Sequence, residues 1–183
     1  MDERRIGIGH NEGPPLDPGR TWRAYVWRRA KVEGLPKLGI ETVRRHVRRA
    51  ATLGLTYQQY ASIRVGTGRD VRALLFSGAA LGLRRGAGPA APHVAKLSRL
   101  SDVERLLLGD EPLGEPIFDA AAPAPPFAAP LSEGRRAIRG LLDPRKLPGD
   151  AVVMIGERIE EAGWAEAARL ARFIRAEVYF DAA

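Results

Sequence analysis

Apolar residues recur at helical spacing through most of the first half of the chain. Thr21 opens a predicted helix over about residues 22–33. Trp22, Tyr25, Val26 and Ala30 form its stripe, and Gly34 and Pro36 end it. A second predicted helix runs from about Ile40 to Leu53. Its apolar side is Ile40, Val43, Val47, Ala50 and Ala51, and its outward side is Arg44, Arg45, Arg48 and Arg49. Gly54 stops it, Thr56 caps a third helix over about 57–65, and Gly66-Thr67-Gly68 breaks that one. A further apolar segment follows from Asp70 to Leu83. Its centre, Val71–Ser77, is short, apolar and followed by Gly78, so periodicity leaves helix and buried strand both open.

The second half begins with a predicted linker over residues 84–93. Helical spacing resumes over 94–108, where Val94, Leu97, Leu100, Val103 and Leu107 fall along one side. Residues 110–132 are rich in Pro and Ala and read as an extended connector, partly polyproline II. A short helix is predicted over 133–143, stopped by Asp143-Pro144. The run AVVMI (151–155) is the best strand candidate in the chain. After Gly156 a long helix is predicted from about Glu157 to Phe180. Its stripe is Ala167, Leu170, Ala171, Ile174 and Val178, widened by Trp164 and Phe173, and such a stripe suits core or a dimer surface.

Charge adds a direction to this pattern. Residues 1–85 hold 17 Lys and Arg against 7 Asp and Glu, whereas residues 86–183 hold 12 against 15. A concentrated basic excess speaks to partners rather than to fold. The four outward arginines of the second helix form two i,i+4 pairs that repel one another, so an anionic partner or a plainly solvated face accounts for them. Residues 1–20, with four Gly and three Pro and no apolar period, read as a tail without regular structure.

Other classes fall away. The chain has no Cys, which excludes disulfides, thiolate metal sites and cysteine nucleophiles. No signal-like leader and no apolar run long enough to cross a membrane occur, and a cytoplasmic protein is expected. His10, His46 and His93 stand far apart with no second ligand at metal spacing. Glu157, Glu160 and Glu161 fall in a first helical turn, where the helix dipole accounts for them. Gly66-x-Gly68 lacks the third glycine of a dinucleotide loop, and no nucleophile–base pair is visible. No cofactor, no metal and no catalytic residue is expected.

A helix-turn-helix needs a small residue in its first helix and, four positions on, a residue tolerant of positive φ. Apolar residues six and nine positions after that turn then lock the second helix. Ala50, Gly54, Tyr60 and Ile63 occupy those positions, with Leu53 and Leu55 flanking the turn. The segment AATLGLTYQQYASIRVGTG resembles the phage-repressor and Cro-like (XRE-type) helix-turn-helix family, and DVRALLFSGAALGL is similar to the helix that closes those domains. The resemblance covers about residues 38–83, with Tyr60 larger and the first helix longer than the family's pattern. It implies a second helix in the major groove, reading bases with Thr56, Tyr57, Gln58, Gln59, Ser62 and Arg64. Arg44, Arg45, Arg48, Arg49 and Arg69 would clamp phosphates.

The chain is therefore expected to be mainly α. A tail (1–20) precedes a basic helical, helix-turn-helix-like domain (21–85). A helix with a Pro/Ala-rich linker (86–132) leads to a small C-terminal α or α/β region (133–183) ending in a long amphipathic helix. The expected function is DNA binding as a transcriptional or phage-related regulator, not an enzyme. Double-stranded DNA is the expected partner, with a homodimer through the C-terminal helix and no membrane association. Two other readings stay open: an adaptor whose Arg-rich face meets an acidic protein, and a small α/β enzyme with 71–77 and 151–155 in one sheet and a pocket lined by both.

Overall fold

Two short apolar runs, ALLFS (73–77) and VVMIG (152–156), are buried at every position, which an isolated helix of that length could not achieve. They are adjacent parallel strands at the centre of a sheet, with Ala73 opposite Val152 and Phe76 opposite Ile155. A strand covered on both faces reads as a continuous apolar run rather than an alternation. The computed structural model describes residues 39–83, 88–109, 117–126 and 129–181. The tail expected over 1–20 and the helix expected over 22–33 lie outside them.

Within Ile40–Ala183, which form one unit, the elements in chain order are α1 (Ile40–Thr52), α2 (Tyr57–Thr67), β1 (Ala73–Ser77), α3 (Ala91–Ser98), β2 (Glu104–Leu108), β3 (Ala120–Ala122), α4 (Leu131–Leu142), β4 (Val152–Gly156), α5 (Ile159–Ala167), β5 (Arg172–Arg175) and α6 (Ala176–Phe180). Short 3-10 turns cover Asp143–Arg145 and Gly149–Ala151 between α4 and β4. All five strands are parallel, in the order β3-β2-β1-β4-β5. The chain winds outward from β1 to β3, returns across the sheet, and winds outward again from β4 to β5. This reversal puts helices on both faces, as the fixed handedness of parallel crossovers requires.

Alternate side chains of the strands feed two cores. Leu74, Phe76, Leu107, Val153, Ile155 and Ile174 pack under α1, α2, α3 and α6. Leu75, Leu106, Leu108, Val152 and Met154 pack under α4 and α5, where Ile138, Leu142 and Trp164 meet them. Gly134 makes the α4–α5 crossing possible, since a Cβ there would lie 2.1 Å from Cγ of Trp164.

The expected mainly α class is therefore overturned: the molecule is α/β, built on a five-stranded parallel sheet. Three segments account for the difference. Within Val71–Ser77, where helix and strand were both open, Ala73–Ser77 is the strand β1, so the closing helix implied by the resemblance is absent. Residues 94–108 are not one helix but α3, a turn and β2. The chain leaves α3 at Arg99 and turns through Asp102, whose φ is +56°. The long terminal helix over 157–180 is α5, β5 and α6, with the break at Arg169, also at φ +56°. The stripe of Ala167, Leu170, Ala171, Ile174 and Val178 is thus no helical surface, and a homodimer through it loses its structural basis. The Pro/Ala-rich segment contributes the edge strand β3, which pairs with β2 through Leu106–Leu108. The expected helical N-terminal part, linker and C-terminal part thus share a single sheet.

Candidate nucleic-acid interface

The turn between α1 and α2 forms as the residue types dictate. Gly54 takes φ +63°, and a Cβ there would stand 2.9 Å from the Tyr179 hydroxyl. Ala50, Leu53, Leu55, Tyr60 and Ile63 are all buried. Thr56 Oγ1 accepts from Gln59 N at 3.2 Å while Gln59 Oε1 accepts from Thr56 N at 2.9 Å, a reciprocal cap that contributes about 1 kcal/mol. Gly68, at φ +70°, closes α2. The partner of this helix pair, however, is the sheet. Tyr179 of α6 donates its hydroxyl to Leu53 O at 3.0 Å, and Ser101 N donates to Thr52 O.

The face of α1 that turns inward differs from the expected one. Ile40 and Val47 are exposed, at 67% and 47%, whereas His46, Arg49 and Ala50 face the protein. Arg49, expected to point outward, is the latch of α1. Its Nε donates to Asp70 Oδ2 at 3.1 Å, and its Nη2 donates to the carbonyls of Val71 at 2.8 Å and Asp102 at 3.1 Å. It fixes α1 to the amino ends of β1 and β2. Arg69 pairs with Asp150 at 2.9 Å, and Arg172 at the start of β5 donates to Ser62 Oγ. These polar ties all lie at the amino ends of the strands.

Of the remaining expected phosphate contacts, Arg44 is exposed and paired with Glu41 at 2.7 Å. Arg45 and Arg48 are exposed and have no acidic partner among the described residues. Of the expected base-reading residues, Thr56 and Gln58 are exposed, Tyr57 and Arg64 are half-buried, Gln59 is committed to the cap, and Ser62 also donates to Gln59 O. Arg45, His46, Arg49, Tyr60, Arg64 and Asp70 line a cleft of about 270 Å³ between the two helices. So α1 and α2 do bring Arg45 and Arg64 together at one cleft.

Asp70, which sequence reasoning did not single out, organises the floor of that cleft. It accepts from Arg49, from Val71 N at 2.8 Å and from the Tyr60 hydroxyl at 2.9 Å. Burial, and then the Asp70 carboxylate, push the Tyr60 phenol up from 10.0 to about 12. The protonated phenol is the form the fold favours. Its contribution to stability is complete below the unfolded value near 10.0 and is lost as the pH rises through about 12. The native protein is therefore expected to lose stability across that window in alkaline denaturation followed by circular dichroism, and Tyr60→Phe to lose less. Equal losses in the two proteins would remove Tyr60 from the effect.

The carboxyl ends of β1 and β4 form the other place where a sheet of this order offers a site, because the winding direction reverses between them. Here the chain fills it. Glu161, buried at 4% exposure, accepts at one carboxylate oxygen from Ser77 Oγ at 3.0 Å, Glu157 N at 2.8 Å and Arg158 N at 3.0 Å. A Cβ on Gly156 would stand 2.7 Å from that same oxygen. The carboxylate occupies the position an anionic ligand would take at the first turn of α5. The pairing of 71–77 with 151–155 in one sheet, which only the alternative α/β reading required, is present between Ala73–Phe76 and Val152–Ile155. His46 and His93 stay apart, His46 edge-on to Tyr60 and His93 stacked on Phe180 at 3.9 Å. Among the described residues no group of three His, Asp or Glu is placed to hold a metal, and no helix is long and apolar enough to cross a membrane. Compared with known proteins, the chain matches no family model, no curated protein and no solved structure.

Proposed function

We propose that the protein binds double-stranded DNA through the exposed side of α1 and α2, as a regulator. The observation that carries this reading is the state of Arg45 and Arg48: exposed, one turn apart on one helix, and without an acidic partner among the described residues. The stretch from Ile40 to Arg69 holds six Arg and one acidic residue, Glu41. Arg49 is committed inside the fold and Arg69, though exposed, is tied to Asp150 just before β4. This leaves Arg44, Arg45, Arg48 and Arg64 around the helix pair, Arg44 paired with Glu41 of its own helix. Guanidinium groups spaced along a helix suit successive phosphates of a duplex, where affinity comes from released counterions. Thr56, Tyr57 and Gln58, at the amino end of α2, are the groups left to meet base edges, Gln58 through its amide to adenine. Arg49 and Ser62 support the interface rather than form it.

Fluorescence anisotropy of the full chain with random duplex DNA across a salt series tests this. Binding should fall steeply with salt, and Arg45→Ala with Arg48→Ala should weaken all sequences alike and flatten the log–log slope by about 2. An unchanged slope removes these arginines from the contact. A folded chain with no affinity for duplex would assign the face to an acidic protein instead.

A further inference from the structure

The opposite face of the sheet carries a second concentration of arginine that the DNA-binding reading does not use. Between α4 and the end of α5 lies a groove of about 540 Å³, lined by Leu131, Ser132, Arg135, Arg136, Arg139 and Ala167. At 3.6 residues per turn, positions 132, 135, 136 and 139 fall within an arc of about 100° on α4. The buried side of the same helix is Gly134, Ile138, Leu141 and Leu142. The arginines therefore flank the groove rather than scatter over the helix.

Their states differ in a way that suits a ligand. Arg139 is fixed: its Nη2 donates to Ala168 O at 2.8 Å and its Nη1 lies 3.8 Å from Asp143. Arg135 and Arg136 are exposed and pair with no carboxylate among the described residues. Glu133 and Glu166, the acids nearest in sequence to the groove, make no ion pair with them. Three guanidinium groups on one arc repel one another, and a multivalent anion removes that repulsion. Arg forks match phosphate oxygens two at a time, which ammonium groups do not. The groove's volume lies in the range of small-ligand sites. Its setting also disfavours a long polyanion, since residues 86–183 carry 12 basic against 15 acidic residues. Leu131, 55% exposed at the rim, offers an apolar shoulder beside the cationic wall.

We infer that the α4–α5 groove is a binding site for an oligophosphate group, held by Arg135, Arg136 and the fixed Arg139, separate from the proposed DNA face. The inference stands without the DNA-binding reading, because the two sites lie on opposite faces of the sheet and can be removed one at a time.

Isothermal titration calorimetry of the full chain tests it. The probes are sodium tripolyphosphate, ATP, and sodium sulfate at matched ionic strength. Tripolyphosphate should bind saturably, and sulfate should not. Arg135→Ala with Arg136→Ala should weaken tripolyphosphate by about tenfold or more. Arg45→Ala with Arg48→Ala should leave it unchanged. Tighter binding of ATP would assign a nucleotide resting on Leu131, and equal binding would assign the phosphate chain alone. Absence of saturable binding by the native protein, or a loss confined to the Arg45/Arg48 variant, would overturn the site. Arg135→Gln with Arg136→Gln repeats the comparison if the alanine variant loses its circular dichroism spectrum.

Discussion

Gly134→Ala is expected to destabilise the protein by about 2–3 kcal/mol, against the sign that helix propensity alone would give. Gly134 lies inside α4, where alanine usually gains about 0.5–1 kcal/mol over glycine. Here the added methyl would stand 2.1 Å from Cγ and 2.2 Å from Cδ1 of Trp164, far inside any real carbon–carbon contact. The obstructing atoms belong to the base of an indole that is itself 3% exposed, so the ring cannot swing into solvent. The two helices must separate, or Trp164 must leave its place in the core under α4 and α5. Gly140, six residues on in the same helix, has nothing within 4 Å of the corresponding position. Gly140→Ala should therefore stabilise by the ordinary propensity gain. Urea unfolding of the two variants gives the answer: midpoints shifted in opposite directions support the crossing described above, and midpoints shifted the same way rule it out.

Glu161→Ala carries the second large effect, about 3 kcal/mol. Its carboxylate satisfies two backbone N–H groups at the start of α5 and the hydroxyl of the buried Ser77. Removal strands three donors at once, each worth about 1–3 kcal/mol when left unpaired, with partial relief where water enters the vacated space. Ser77→Ala should cost less, because only its hydroxyl links to Ala80 N and Glu161 are lost. A double-mutant cycle should show coupling above about 0.5 kcal/mol between the two positions. Additive losses would mean that Ser77 and Glu161 act independently.

The sequence made some of this architecture legible and concealed the rest for identifiable reasons. The bounds of α1 and α2 were readable because Gly54, Thr56 and Gly68 are residues whose backbone and side-chain chemistry serve turns and caps. The core strand β4 was readable because Val152, Val153, Met154 and Ile155 follow one another between turn residues. The sheet as a whole was hidden because two of its turns use Asp102 and Arg169 in the left-handed region, where a glycine would have signalled a break. Strands of four or five residues can also sit inside a run that satisfies helical spacing, as β2 does with Leu107. At the candidate interface, the exposed arginines were visible in the periodicity, but the inward turn of Arg49 was not. That turn depends on carbonyls contributed by Val71 and Asp102, which only the folded chain brings together. The closure of the β1–β4 crevice by Glu161 depends likewise on Ser77, 84 residues away.

The central position of β1 has a consequence for the order in which the molecule can assemble. Its partner on one side begins at Glu104, but its partner on the other begins at Val152, 79 residues after Ala73. At roughly 5–20 residues per second, a ribosome takes about 4–16 s to supply that second neighbour. Until β2 is made ALLFS has two open edges, and from then until β4 it has one, while the floor of the α1–α2 pair lacks Val153, Ile155, Ile174 and Tyr179. Closing such sequence-distant pairings is slow, since the loop entropy must be overcome before the contacts form. A nascent or truncated chain that stops short of α6 thus holds every arginine of the proposed DNA face yet cannot seat it. Docking of α6 thus decides when α1 and α2 become a surface.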